Sequence, residues 1–166
     1  NHTHNLSLRG GTEKTNYIAS ITYRKQDGIL LNTGKEALTF KIGLNHSMMD
    51  DKLKIQLNVN NSTIKQDVTW YNAYLQACLM NPTRPVYNED GSYKEYGTSY
   101  KPYNPVALLN EETDQEKWNQ LLASGKITFS PIEGLNLSAM AAMQRYDSMR
   151  DKWNTFNYFT TTIENK

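Results

Sequence analysis

Two adjacent stretches decide the fold: Leu38-Thr39-Phe40-Lys41-Ile42-Gly43-Leu44-Asn45-His46-Ser47-Met48 and, just past Asp50-Asp51, Lys52-Leu53-Lys54-Ile55-Gln56-Leu57-Asn58-Val59-Asn60. In the first, Leu38, Phe40, Ile42, Leu44, His46 and Met48 alternate with Thr39, Lys41, Gly43, Asn45 and Ser47. In the second, Leu53, Ile55, Leu57 and Val59 alternate with Lys52, Lys54, Gln56, Asn58 and Asn60. Successive side chains of a strand point to opposite faces, so each stretch predicts one long amphipathic strand. The acidic pair Asp50-Asp51 predicts a two-residue tip that makes them a hairpin.

The same period extends outward in both directions. Upstream, Leu6 and Leu8 lead to Gly10-Gly11, a turn at Thr12-Glu13-Lys14, and then Tyr17, Ala19, Ile21 and Tyr23 against Asn16, Ser20, Thr22 and Arg24; Ile18 interrupts the polar set once. Downstream, Leu121, Ala123, Ile127 and Phe129 run into Pro131-Ile132-Glu133-Gly134, a tight-turn sequence, before Leu135, Leu137, Ala139, Ala141 and Met143 resume the alternation. Three hairpins result, at about residues 5–26, 36–66 and 115–149. The reading is all-β: an antiparallel up-and-down meander of about six long strands.

Short turns within the hairpins alternate with longer connections between them, the largest from about 66 to 115. That asymmetry is the pattern of a transmembrane β-barrel, with short periplasmic turns and long extracellular loops. A soluble β-sandwich also alternates, and a secreted β-rich module binding glycan or protein is the competing reading. Strands of ten or more residues and a connection of about fifty favour the barrel. Within that connection, Trp70 to Met80 reads as a short helix stopped by Asn81-Pro82, and Asp90-Gly91 as the turn of a small hairpin.

Composition narrows the classes. The chain has 166 residues, 18 Lys+Arg against 17 Asp+Glu, a formal net charge of +1 and a mean hydropathy of −0.71. The balanced charge supplies no general attraction to nucleic acid. No apolar run approaches the ~18 residues of a membrane-spanning helix, whereas barrel strands average out as hydrophilic. Asn1-His2-Thr3-His4 carries neither an initiating Met nor an apolar leader, the look of a mature or internal piece. Cys78 is the single cysteine and, in an apolar stretch, is expected to be buried and inert.

No catalytic constellation is visible and no enzyme or cofactor is expected. His2 and His4 share a strand face without a third metal ligand in sequence, and His46 lies on an apolar face. Glu111, Glu112, Asp114 and Glu116 show neither glycosidase nor EF-hand spacing and are expected to be a solvated loop. The Asn-x-Ser/Thr matches at Asn5, Asn45, Asn60, Asn61 and Asn136 fall on strands and read as chance.

Gly10-Gly11-Thr12-Glu13-Lys14-Thr15-Asn16-Tyr17 resembles the first barrel hairpin after the plug in the SusC/RagA family of TonB-linked outer-membrane proteins. Gln26-Asp27-Gly28-Ile29-Leu30, the run from Asn81 to Tyr93, and Tyr103-Asn104-Pro105-Val106-Ala107-Leu108-Leu109 fit the same family in order, so the resemblance spans roughly residues 4–146. It implies a piece of a plugged, 22-stranded importer of oligosaccharides or peptides in the cell outer membrane of Bacteroidota. It also implies a SusD-like surface lipoprotein as cap, TonB acting through a plug that this sequence lacks, and contact with outer-membrane lipid. The TonB box, the N-terminal extension and the closing strand are likewise missing from the sequence. Six strands do not close a membrane barrel, for which about eight are needed, so a fragment or truncated product is expected.

The apolar faces are then expected to meet lipid. Lys41, Asn45, Ser47, Lys52, Lys54, Gln56, Asn58 and Asn60 are expected to face the lumen and touch plug or substrate. Aromatic rings with a polar handle suit sugar or peptide contact, so Trp70, Tyr71, Tyr74, Tyr87, Tyr93, Tyr96, Tyr100 and Tyr103 form the pool for substrate or cap contact.

Overall fold

The computed structural model describes residues 1–69, 71–95 and 103–155. Among them run β1 (His2–Gly11), β2 (Thr15–Asp27), β3 (Gly34–Met48), β4 (Leu53–Val68), α1 (Tyr71–Leu79), α2 (Pro105–Glu111), β5 (Glu112–Ile132) and β6 (Leu135–Asn154). The six strands form one sheet in the order β1-β2-β3-β4-β5-β6, an antiparallel meander. Each strand therefore pairs with its neighbour in sequence, which keeps closure short within each hairpin, while β4 and β5 are joined through the long connection that carries α1 and α2.

Contacts divide the chain into two units. The strand unit comprises Asn1–Gln26, Glu36–Lys65 and Lys117–Met149; the loop unit comprises Asp27–Lys35, Gln66–Glu116 and the chain from Arg150 onward. In the strand unit the β1–β2 register pairs Leu6 with Ile21 and Leu8 with Ala19, so the apolar sets lie on one face. A shallow depression lined by Leu6, Leu8, Ala19, Ile21, Phe40 and Ile42 carries that face on to β3. On the opposite face Thr39 Oγ1 and Ser62 Oγ meet at 3.1 Å across β3 and β4, and Thr128 Oγ1 and Ser138 Oγ at 3.1 Å across β5 and β6.

No second sheet covers the apolar face among the described residues. Leu6 is 72% exposed, Ile42 57% and Leu137 55%. A soluble sandwich buries such side chains at about 1.5–3 kcal/mol each, whereas a sheet that leaves them open across six strands has the kind of face that a transmembrane barrel turns to lipid. The strand lengths agree. They run from 10 residues in β1 to 21 in β5, and at about 3.3 Å per residue β5 and β6 exceed what a ~25 Å lipid band requires.

Ile18, the one apolar residue on the polar face, has a structural partner. It lies over Gly43, where a β-carbon would stand 2.9 Å from the Ile18 Cγ2 and 3.4 Å from the Asn58 Oδ1. On the apolar face Tyr17 crosses its register partner Gly10, whose added Cβ would collide with the phenol. In both places an absent side chain lets a neighbouring strand's large one lie flat.

The turns differ in detail from expectation. The β3–β4 connection is Met49–Lys52 rather than a two-residue tip, with Met49, Asp50 and Asp51 all at positive φ. Asp residues tolerate that conformation better than most, and the Ser47 hydroxyl donates to the Asp51 carboxylate. Lys52 consequently sits in the turn and not on the face of β4. The β5–β6 turn closes at Glu133-Gly134 with Gly134 at φ 83°.

Replacing Gly43 by Val should destabilise the wall of the intact receptor by about 1–3 kcal/mol, read as a smaller folded fraction by heat-modifiable electrophoretic migration. Adding Ile18→Ala should recover most of the loss. Equal losses in the single and double variants would contradict the Gly43–Ile18 contact.

Candidate functional site

The loop unit folds around a small core. Ala73 of α1 and Leu108 and Leu109 of α2 are buried together, with Leu30 and Tyr103 packed against them. Nearly everything else is tied down by side-chain amides. Asn104 is 2% exposed. Its Oδ1 accepts from the N–H groups of Val106 and Ala107, capping α2 ahead of Pro105, and its Nδ2 donates to the carbonyls of Val86 at 2.7 Å and Lys94 at 3.2 Å. One side chain thus joins the helix start to the small hairpin. Pro105 suits the first helical turn because its missing N–H would be unpaired there anyway.

The hairpin itself turns where the sequence places it. Tyr87 and Tyr93 pair across it, Gly91 takes φ 84°, and the Asp90 carboxylate accepts from the Ser92 N–H and hydroxyl. The Tyr87 and Tyr93 rings lie 5.5 Å apart. Asn110 Nδ2 donates to the Tyr93 hydroxyl at 3.0 Å, and Asn32, in the connection between β2 and β3, donates to Leu109 O at 2.9 Å and Asn110 Oδ1 at 2.8 Å. Gln76 of α1 accepts the Tyr103 N–H at 2.8 Å.

These bonds sort the aromatic pool. Tyr74 and Tyr87 are exposed by 53% and 52%. Tyr93 and Tyr103 are half-buried, one held by Asn110 and the other packed on the core. Tyr71 opens α1, while Trp70, Tyr96 and Tyr100 lie outside the described residues. The loop unit also displays Ile29, Leu31 and Leu79, which the sequence reading passed over because only their period, not their display, is legible. Cys78 is exposed on α1 rather than buried. The helix turns Ala73 inward, and Cys78 follows Tyr74, Leu75, Ala77 and Leu79 to the open side.

The acidic cluster is not a solvated loop. Glu111 closes α2, and Glu112 begins β5. Arg150 of β6 makes a bidentate pair with Asp114, Nε and Nη2 each 2.7 Å from a carboxylate oxygen, and reaches Glu116 at 3.1 Å; Lys152 meets Glu112 at 3.0 Å. The alternation Glu112, Asp114, Glu116 was the missed signal, because it places three acids on one strand face opposite Arg150 and Lys152.

In the strand unit, the polar face holds Lys41, Asn45, Lys54, Gln56, Asn58 and Asn60 of the expected lumen set, and Ser47 at its turn end. Lys52 stands beside them in the turn. His2 and His4 do share a face, with rings 5.2 Å apart and His2 5.8 Å from Tyr23. His46 Nδ1 and the Thr15 hydroxyl are 2.7 Å apart. No cluster of three metal-ligating side chains forms among the described residues.

Asn104→Ala should open the loop unit by about 2–4 kcal/mol, since it removes a helix cap and strands two carbonyls. Hydrogen exchange in 81–95 and 103–111 should accelerate while β1 to β4 keep their protection; uniform protection would refute the role assigned to Asn104.

A pH effect follows from Glu111 and Glu95. Desolvation, and next the negative charge of Glu95, push the Glu111 carboxyl above its ordinary 4.5. Glu95 is pushed up by desolvation as well, against an N–H from Asn104. A carboxyl raised in the folded state favours folding when protonated. Its contribution is complete below the unfolded value and is lost as pH rises through the raised folded one. Loop protection, corrected for intrinsic exchange, should therefore strengthen as pH falls from neutral toward 4.5, and Glu111→Gln should flatten the slope. An unchanged slope in that variant would exclude Glu111 as its source.

Comparison with known proteins gives the wall a lineage. No protein-family model matches the chain. TonB-dependent receptor P26 of Formosa agariphila is 35% identical over 132 residues, covering 77% of this chain and 13% of that receptor. TonB-dependent receptor SusC of Bacteroides thetaiotaomicron is 23% identical over 148 residues, covering 76% of this chain and 15% of SusC. The chain thus spans about one-seventh of the length of these relatives. Solved structures of the RagAB peptide transporter, and of the RagAB peptide importer in its closed-closed state, superpose with TM-scores of 0.71 and 0.74 at 18% identity; they cover 90% and 93% of this chain and 18% of theirs. The six-stranded meander and these relatives together make the chain a β-barrel segment of the SusC/RagA type of TonB-dependent receptor.

Proposed function

We propose that the chain forms part of the wall of an outer-membrane importer that takes up oligosaccharides or peptides with energy relayed by TonB. The observation that carries this reading is the apolar face open across all six strands, which only a lipid surround stabilises. In a closed barrel the end strands β1 and β6 pair with further strands, since lipid leaves no edge groups unbonded. The opposite face then lines the lumen. There Lys41, Asn45, Ser47, Lys54, Gln56, Asn58 and Asn60, with Lys52 at the rim, meet plug or substrate, and TonB acts through the plug.

The loop unit belongs on the extracellular side, because it joins strands at the end opposite the short turns Thr12–Lys14, Met49–Lys52 and Glu133-Gly134. Tyr74 and Tyr87 are the rings it offers to an incoming sugar or peptide, or to a SusD-like surface lipoprotein. Trp70, Tyr71, Tyr96 and Tyr100 complete the pool by their place in the same connection. The RagAB transporter, as its name says, carries peptides; the corresponding cargo here is assigned no further than oligosaccharide or peptide.

Exposed Cys78 supplies the test. A membrane-impermeant maleimide added to intact cells making the full-length receptor should modify Cys78, identified by peptide mass. Modification only after lysis would place the loop unit on the periplasmic side and reverse the orientation.

A further inference from the structure

The near-neutral net charge conceals a separation across the sheet. In the strand unit the carboxylates are Glu13, Glu36, Asp50, Asp51, Glu133 and Asp147. Four of these occupy turns. The two on strands are paired within the sheet, Glu36 with Lys25 at 2.8 Å and Asp147 with Arg145 at 2.8 Å. Lys25 stands opposite His2 in the register, on the same face as Leu6 and Ile21, so the Glu36 pair belongs to the apolar side's polar margin.

In this unit the strand positions of the polar face carry cations and no carboxylate; further along β5 the same face holds Glu112, Asp114 and Glu116, which pair with Arg150 and Lys152. Arg9 is the register partner of Ile18, which lies over Gly43 and so fixes that face on β1 to β3. Lys41 is two residues from Gly43, and Lys54 four from Asn58. A β-carbon on Gly125 would meet Leu57 at 3.3 Å on the apolar side, which turns Lys126 to the polar one. Arg9, Lys41, Lys54 and Lys126 are all exposed, and no strand carboxylate of this unit shares their face among the described residues. Between them stand Asn45, Gln56, Asn58 and Asn60. At the turn end a small depression lined by Glu13, Lys14, Asn16, Asn45, Lys54 and Gln56 opens on this surface, so one acid stands there beside two lysines.

We propose that this face is a hydrated cationic track for an oligoanion, a substrate bearing repeated carboxylate or sulfate groups. The inference rests on the reading of the face as lumen lining. One sign of charge along a confined wall concentrates opposite charge near it. Lysine is depleted in the cores of protein interfaces, and this face has amides where a permanent partner would find apolar anchors, so a mobile, solvated anion fits it better than an acidic protein surface. Lysine heads on flexible stems act as point charges that follow a moving ligand, whereas a fixed bidentate site would call for arginine.

The test uses the full-length receptor in detergent, with its surface lipoprotein, titrated calorimetrically at low and high salt. The probes are oligogalacturonate, chondroitin sulfate oligosaccharides, oligoglutamate and a neutral malto-oligosaccharide. Binding of at least one oligoanion is expected, weakening with salt and at least tenfold weaker in the combined Arg9→Gln, Lys41→Gln, Lys54→Gln and Lys126→Gln variant, with the neutral sugar unaffected. The saccharide and peptide probes tell the two sources of anion apart. Lys41→Arg, Lys54→Arg and Lys126→Arg together should retain binding, and heat-modifiable migration shows that each variant folds. A receptor that binds none of the oligoanions, or a Gln variant that binds them as well as the parent, overturns the proposal. So does carbodiimide cross-linking of these lysines to plug carboxylates in the ligand-free receptor, which would make the occupant an acidic protein face. A receptor labelled at Cys78 on intact cells that fails these titrations loses the track and keeps its orientation.

Discussion

A sheet with one face in hydrocarbon has no water to satisfy its backbone on that side, so every N–H and C=O must be bonded strand to strand. The rest of the strand unit follows from that constraint. Sequential neighbours pair, turns are tight at one end, and each strand is long enough to keep pairing across the whole apolar band. Register matters, because a slip of one residue would move Lys41 and Lys54 to the apolar face and Leu57 to the polar one. Two glycines help to fix it. Ile18 needs the gap at Gly43, and Tyr17 needs the gap at Gly10, and neither gap moves with a one-residue shift.

The loop unit solves a different problem. Between its strand ends it has little ladder to absorb its backbone groups and only a few buried apolar residues, so much of its order comes from side-chain amides. Asn104 serves four partners and Asn32 two, and Asn110 links Asn32 to Tyr93. Asparagine suits this work because a short side chain carries both donors and an acceptor. Rings anchored in such a frame lose little further freedom on contact with another molecule, which suits Tyr87 to the contact role proposed for it better than an untethered aromatic.

What the sequence discloses divides along the same line. Period two marks the strands, and the Asp90-Gly91 and Glu133-Gly134 turns follow from φ preferences. Ile18 is unreadable alone, since its reason is a glycine on another strand. The fate of Cys78 is similar: an apolar neighbourhood in sequence does not say which side of a single helical turn faces the small core. The acids at Glu112, Asp114 and Glu116 are misplaced by composition and would have been placed by alternation, because strand faces are set by parity while charge density suggests only solvent. Tyr93 and Tyr103 look like Tyr74 and Tyr87 in a list of aromatics. Their difference lies in the hydrogen bonds of Asn110 and Gln76, which join residues far apart in the chain.

Charge is where parity and composition diverge most. Eighteen cations and seventeen acids suggest a surface without direction. Alternation gives it one, because a strand converts odd and even into two environments, and acids that are held by neighbouring cations no longer offset the remaining ones. Asp114 and Glu116 are held by Arg150, Glu112 by Lys152, and Glu36 by Lys25. What remains unbalanced is a set of basic residues facing one way. On the proposed lumen-lining reading, a wall built from such strands turns its apolar face to lipid and its basic residues to the enclosed space, so the field there depends on side-chain parity even where the net charge is close to zero.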